Sequence, residues 1–240
     1  MTKLSVNLNR VALLRNSRPL TFPSVTKAAQ VCIDAGAHGI TVHPRPDERH
    51  IRRTDVYELK EMILGVEYNI EGNPFPDFMD MVRDVVPDQC TLVPDEPDQS
   101  TSDHGWDLRR DGERLVPIIA ELKGLGIRVS LFMDPVPEDM VLAKDLGADR
   151  VELYTESYAS AYDGGDVGPV FRQYADSARA AQDAGLGVNA GHDLNLDNLG
   201  EFVTIPGILE VSIGHALIAD TVFMGLENTV KAYLKVLGYG

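Results

Sequence analysis

The residues of this chain best suited to chemistry cluster in Ile40-Thr41-Val42-His43-Pro44-Arg45-Pro46-Asp47-Glu48-Arg49-His50-Ile51. A short β-branched run gives way to histidines, arginines and prolines, the pattern of a buried strand ending in a loop dense with functional groups. Pro44 and Pro46 fix their own φ and push His43 and Arg45 toward extended geometry, so the loop presents its side chains from a stiff backbone. Arg45 offers a planar fork to a phosphate, and His43 and His50 can each take or give a proton near neutral pH. Taken alone, the stretch reads equally well as a solvated, charged turn.

The elements that must position it follow from a repeated phrase. Asp34–Val42, Leu125–Leu131, Asp145–Leu153 and Asp183–Ala190 each combine a helix end, a glycine able to cap it in the left-handed region, and a short run that reads as a buried strand. Leu4–Asn7, Val66–Ile70, Gln89–Val93 and Glu210–Ser212 complete eight candidate strands. Amphipathic stretches such as Ser24–Ala35, Phe78–Val86, Glu113–Leu125 and Pro169–Asp183 separate them. Eight such units predict an α/β chain folded as one (β/α)8 TIM barrel with extra helices, a single domain over 1–240. A doubly wound open sheet is the alternative, but no glycine-rich nucleotide fingerprint follows the first strand.

In a barrel the active groups come from the C-terminal ends of the strands. The polar residues fall there: Asn7 after the first strand, His43 after the second, Asn69 and Glu71 at the third, Asp134 after the fifth, Asn189 and His192-Asp193 at the seventh, and Gly214-His215 after the eighth. Gly214-His215 also opens a helix, whose free N–H groups either bind a phosphate or form an ordinary cap. Glu152 lies inside an apolar strand, either as one member of a structural ion pair or as a group serving the site. Two connections, Pro94–Gly112 and Thr155–Gly168, read as long loops in which Thr101 and Gly164-Gly165 belong either to moving lids or to plain surface.

Composition narrows the chemistry. A net charge of −15 argues against nucleic acid or an anionic membrane as partner. The absence of a long apolar run or leader-like N-terminus predicts a cytoplasmic protein. Cys32 and Cys90 sit in apolar runs and read as small buried hydrophobes. None of the seven lysines (3, 27, 60, 123, 144, 231 and 235) falls at a strand's C-terminal end, which disfavours an enzyme-lysine Schiff base. The mouth histidines 43, 50, 192 and 215 have zinc-ligating chemistry, but arginines and glycine-rich turns beside them suit an anion better. The expectation is acid–base chemistry on phosphorylated substrates with no metal and no cofactor.

At these residues the chain resembles the pyridoxine 5'-phosphate synthase family of vitamin B6 biosynthesis. The likeness rests on Ser5-Val6-Asn7, Leu14–Arg18, Gly39–His43 with Arg45 and Arg49-His50-Ile51, Asn69-Ile70-Glu71, Leu92-Val93-Pro94, Val151-Glu152-Leu153, Val188–His192 and Ile213–Ala216. The resemblance implies a homo-octameric barrel that condenses 3-amino-2-oxopropyl phosphate with 1-deoxy-D-xylulose 5-phosphate, releasing phosphate and water. It implies that His43 and Glu71 accept protons, His192 donates one, and Glu152 stabilises the transition state. It also implies that Asn7, Arg18, Gly214 and His215 hold the aminoketone phosphate, and that Arg45, His50 and Thr101 hold the deoxyxylulose phosphate. The chain departs from the family pattern at Asn9-Arg10, where Asp-His is common, and at Asp193, where glycine is common and a carboxylate now stands near a phosphate contact. A related barrel lyase or isomerase acting on another phosphosugar, and a catalytically silent ligand-binding homologue, are the alternatives.

Overall fold

The computed structural model describes residues 1–240, and its eight strands pair in parallel, in sequence order, until the eighth closes onto the first. The strands are β1 (Lys3–Asn7), β2 (Gly39–Val42), β3 (Glu67–Gly72), β4 (Gln89–Leu92), β5 (Arg128–Met133), β6 (Arg150–Tyr154), β7 (Gly187–Gly191) and β8 (Ile208–Ile213). Around them lie α1 (Asn9–Asn16), α2 (Val25–Asp34), α3 (Arg53–Met62), α4 (Pro76–Val85), α5 (Leu108–Gly124), α6 (Met140–Asp145), α7 (Glu156–Gly164), α8 (Val167–Asp183), α9 (Leu199–Phe202), α10 (His215–Met224) and α11 (Leu226–Val236). The extra helices expected from the sequence arise where β1, β6 and β8 are each followed by two helices before the next strand or the chain end.

Local chemistry accounts for the repeat. Gly36, Gly126, Gly147 and Gly185, the four glycines of the repeated phrase, all have φ between +80° and +103°. A side chain is strained in that conformation, so glycine is the residue that lets each helix stop and turn into the following strand. At the other end, Ser24 Oγ accepts the Lys27 N–H at 3.1 Å and caps α2, while Pro76 starts α4 where its missing N–H costs nothing.

The apolar core is not inside the barrel but around it. Leu4, Val6, Ile40, Val42, Ile70, Leu92, Val129, Leu131, Val151, Val188 and Val211 are fully buried between the strands and the helices. Side chains alternate along a strand, so the intervening residues face inward, and nearly all of these are polar. Ser5 Oγ lies 2.7 Å from Thr41 Oγ1, Thr91 Oγ1 donates to Asn69 Oδ1 at 3.1 Å, and Arg128 Nε donates to Gln89 Oε1 at 2.8 Å. Arg150 reaches Asn189 Oδ1 at 3.2 Å, and Asn189 Nδ2 donates to Glu210 Oε1 at 3.2 Å. Arg128 also pairs with Glu67. Most interior polar groups are thereby offset by a neighbour, as burial demands, the Ser130 hydroxyl on β5 being left without a partner.

Two expectations need correction. The connection after β6 is not a long loop: Glu156–Gly164 forms α7, anchored by the fully buried Tyr158, whose ring meets Phe202 with centroids 5.0 Å apart. Gly164-Gly165 is its C-terminal end, with Gly165 left-handed at φ 82°, and not part of a lid. The helix after β4 begins at Leu108, five positions ahead of the expected Glu113, with Asp107 accepting the Arg110 N–H.

The loop between β4 and α5 is the one long irregular connection at the C-terminal rim. Its foot is held by Trp106, whose indole N–H donates to the Leu92 carbonyl at 2.8 Å and whose backbone N–H donates to Phe132 at 2.9 Å. The guanidinium of Arg114 lies 5.0 Å over the same ring. Gly105 is obligatory beside it, because a Cβ there would come 2.3 Å from the Asp134 backbone nitrogen.

The loop after β2 is clamped from α1. Arg15 forms a buried ion pair with Asp55 and donates to the His50 carbonyl at 3.1 Å; Asn16 Nδ2 donates to the same carbonyl at 2.7 Å. Asp55 also accepts the Arg52 N–H at 2.8 Å, so one carboxylate starts α3 and anchors α1. Replacing Asp55 by Asn leaves the Arg15 charge buried without its counter-ion, and urea unfolding at pH 7 should show a loss of about 3–5 kcal/mol.

Candidate active site

At the C-terminal rim the strand ends enclose a cavity of about 480 Å³. Asn7, His43, Arg45, His50, Glu71, Thr101, Glu152, His192, Asp193, Gly214 and His215 all line it. Of the strand-end residues expected from the sequence, Asn69 and Asn189 lie below the cavity in the interior network and Asp134 accepts the Gly105 N–H instead; of the residues given a catalytic or binding role, Arg18 alone does not line it. Helix α1 ends at Asn16, and the turn that follows carries Arg18 out into solvent, away from the cavity.

Glu71 sits on β3, two residues beyond Asn69 on the same inward face, and is buried. Its carboxylate is held loosely, by Asn7 Nδ2 at 3.4 Å and Asn69 Nδ2 at 3.5 Å. Burial, and then the nearby Glu152 carboxylate, push Glu71 well above the usual carboxylate range. Glu152 is likewise buried and is pushed up to about 7 by desolvation, with His192 pulling the other way. Glu152 opens into the cavity and forms no ion pair. It fits because Gly191 has no side chain: a Cβ at that position would stand 2.3 Å from Glu152 Oε1.

The histidines differ in environment. His43 is buried, its backbone N–H donating to Asn9 Oδ1 at 2.9 Å, and desolvation followed by the Arg45 charge holds its imidazole neutral, well below the ordinary range. His50 is lowered to about 4 by burial and then Arg45. Its Nδ1 accepts the Ile51 N–H at 2.9 Å, which leaves Nε2 as the protonated nitrogen. His192 is half-buried against Tyr154 and Phe132, with ring centroids 5.1 Å and 6.1 Å away. Its Nδ1 lies 3.5 Å from Asp193 Oδ2, and that contact, ahead of the cost of burial, holds the Asp193 carboxylate below its ordinary range.

Arg45 presents less of a free fork than its sequence suggests. It is paired with Asp95 in a buried contact, and its other nitrogen donates to the Gln99 carbonyl at 2.7 Å. Ser102 Oγ donates to the same Asp95 at 2.6 Å, and Arg49 donates to the carbonyls of Gln99 and Pro97 at 3.0 and 3.1 Å. Two arginines of the β2 loop therefore strap down the β4 loop. Sequence reasoning missed Asp95 and the lining residues Phe132, Tyr154 and Glu156. Asp95 could have been suspected only as the first acid after β4. Asn9 and Arg10, noted as departures, both line the cavity. Gly214 precedes α10 and His215 is its first residue, so the start of that helix, with its unpaired N–H groups, lies at the cavity.

The cavity lining contains no lysine. It combines two buried carboxyls, a neutral buried imidazole and a more exposed one with a rim of arginines. That set can move protons at a carbon or hydroxyl while holding phosphate.

Comparison with known proteins gives this site a family. The model of the "Pyridoxal phosphate biosynthesis protein PdxJ" family matches residues 4–238. Pyridoxine 5'-phosphate synthase of Albidiferax ferrireducens is 55% identical over 248 residues, covering 100% of this chain and 98% of the relative. The enzyme of the same name from Xanthomonas campestris pv. campestris is 54% identical over 249 residues, covering 100% and 97%. Among solved structures, phosphoribosylanthranilate isomerase from Thermotoga maritima superposes with a TM-score of 0.61 at 15% identity, covering 99% of each chain. The α subunit of tryptophan synthase from Legionella pneumophila gives 0.66 at 12% identity, covering 99% of this chain and 93% of its own. At such identities the structural likeness speaks for the barrel alone.

The raised carboxyl of Glu152 has a consequence for stability. A carboxyl whose pKa is higher folded than unfolded contributes stability that is complete below the unfolded value, near 4.5, and lost as pH rises through about 7. Glu152→Gln removes that titration. Urea unfolding at a series of pH values should show the variant gaining on the parent across this window.

Proposed function

The chain belongs to the PdxJ family of pyridoxal phosphate biosynthesis proteins and is an enzyme of pyridoxine 5'-phosphate synthesis, and we propose that its barrel mouth makes that product by acid–base catalysis alone. The substrates in this reading are 3-amino-2-oxopropyl phosphate and 1-deoxy-D-xylulose 5-phosphate, with phosphate and water as the other products. The observation that carries it is the convergence of His43, Glu71, Glu152 and His192 on one cavity whose lining contains no lysine.

The amine of the aminoketone supplies the nitrogen of the Schiff base to the other substrate's ketone, so no enzyme amine is needed. A protonated Schiff base is a cation, and it forms beside two carboxyls that burial makes reluctant to ionise. The cation favours their ionised forms, so Glu152 gains attraction as charge develops and Glu71 becomes a competent base at the moment a proton must leave. His43, kept neutral by burial and by Arg45, is the second proton acceptor. His192, less buried and packed on Tyr154, gives a proton to the departing oxygen.

The two phosphates enter a chain of net charge −15, so local cations must outweigh the global field. Arg45, His50 and Thr101 hold the deoxyxylulose phosphate, with Arg45 exchanging part of its hold on Asp95 and Gln99 for the ligand. Asn7, Gly214, His215 and the start of α10 hold the aminoketone phosphate, with Arg10 and Asp193 beside them. Arg18 stands outside this set. The same reading includes a homo-oligomer, an octamer by the family resemblance. It is supported by the exposed apolar Leu14, Leu20, Phe22, Val222 and Phe223, the kind of surface that oligomers cover. No helix is long and apolar enough to cross a membrane, and a cytoplasmic location belongs to the proposal.

The test is turnover of both substrates by the pure protein, followed as phosphate release and pyridine absorbance. Glu71→Gln keeps shape and hydrogen bonding but cannot accept a proton, so kcat should fall by roughly 10²–10⁴-fold with binding of both phosphates nearly unchanged. Lost affinity with retained kcat would make Glu71 a binding residue. Turnover of some other phosphosugar alone would point to a different barrel lyase or isomerase.

A further inference from the structure

The exit of β7 is strained. His192 has φ 89° and Asp193 φ 56°, two successive side-chain-bearing residues in the left-handed region. Such a conformation is costly for residues other than glycine and persists only where the surroundings over-determine it. The surroundings here are unusually explicit. Thr155, fully buried at the end of β6, donates its backbone N–H to the Gly191 carbonyl at 3.0 Å. Its hydroxyl lies 2.8 Å from that same carbonyl and is also hydrogen-bonded to the carbonyl of His192. One residue further, the buried Asn198 donates from Nδ2 to the Asp193 carbonyl at 3.1 Å.

Thr155 is also the residue that precedes α7 as its N-cap, where a threonine oxygen ordinarily accepts an N–H of the first turn. It makes no such bond. With the Gly191 carbonyl already served by the Thr155 N–H, the hydroxyl proton is free for His192. A capping residue thus turns its hydroxyl away from its own helix and spends it on the backbone of the neighbouring strand's exit.

We propose that Thr155 is a positioning residue for the reaction: its hydroxyl locks the His192 carbonyl so that the left-handed backbone aims the imidazole into the cavity, against Tyr154 and beside Glu152. The inference rests on the assignment of His192 to proton transfer. Freed of this bond, residues 192 and 193 relax toward an ordinary conformation and the imidazole swings, while the phosphate contacts on β1, the β2 loop and α10 stay in place.

The experiment compares Thr155→Val, which keeps the branched shape and loses the hydroxyl, with Thr155→Ser, which keeps the hydroxyl and loses only the methyl. In the Val variant kcat falls by about 10- to 100-fold, the scale of a small misplacement of a catalytic group, with KM for the deoxyxylulose phosphate unchanged. The NMR line of the His192 Cε1–H moves in the full-length Val variant and not in the Ser variant, which retains most of the parent's kcat. Equal losses in both variants, or an unmoved His192 line with full activity in the Val variant, overturn the proposal. A moved line with unchanged kcat supports the lock and instead removes His192 from proton transfer. Should the Val variant not fold, an unmoved line and near-parent kcat in the Ser variant support the hydroxyl's role, and a moved line there overturns it.

Discussion

Everything at the mouth of this barrel depends on keeping carboxyls out of water. Glu71 and Glu152 are buried on inward faces of β3 and β6, and Glu210, pushed up to about 8 chiefly by desolvation, lies deeper on β8. An apolar barrel interior would make such groups prohibitive. Here the interior is laid out in amides, hydroxyls and guanidinium groups, and the apolar packing has been moved to the annulus between strands and helices. The fold is therefore stabilised in one region, while another keeps the carboxyls; in the proposed function a developing cation there offsets the cost of their ionisation.

The second layer of organisation is the pairing of two loops. Arg45 and Arg49 leave β2 and grip the loop after β4 through Asp95, Gln99 and Pro97. The Arg45–Asp95 contact also forms a wall: Arg45 lines the mouth, and both residues line a neighbouring cavity of about 430 Å³ whose lining includes Phe75, Phe78 and Met81. Under the proposed function, a phosphate recruiting Arg45 acts on a group that already holds the loop, so binding there and the arrangement of the loop draw on the same hydrogen bonds.

Much of this was legible from residue order. Glycines at four helix ends and short strand-like runs were enough for the eight strands, because the left-handed turn is a local demand. Most of the strand-end polar residues were legible too, since barrel geometry sends them to one rim, but Asn69 and Asn189 fall one layer deeper and Asp134 is taken up by the Gly105 N–H. The two cysteines are buried as their apolar surroundings suggested. What escaped was whatever depends on distant partners. Thr155 reads as an ordinary helix cap until its hydroxyl is seen facing β7, and Arg45 reads as a free fork because Asp95 lies fifty positions away. Helix α7 was read as loop because Ser, Tyr and a Gly-Gly end argue weakly for a helix. Its apolar face becomes evident only when Tyr158 meets Phe202 and Tyr174. The polar interior was hidden by shortness, since strands of four to six residues give two-residue alternation little room to declare itself.

Trp106 is the only tryptophan in the chain, buried at the foot of the β4 loop with its indole N–H on the Leu92 carbonyl and Arg114 across its face. All indole emission from this protein therefore originates at the foot of one loop. Its colour reads the hydration of that point, which is dry while the ring stays buried on the Leu92 carbonyl. The protein carries an intrinsic optical gauge of whether the loop's foot stays seated, and no dye or label is needed to follow it during turnover.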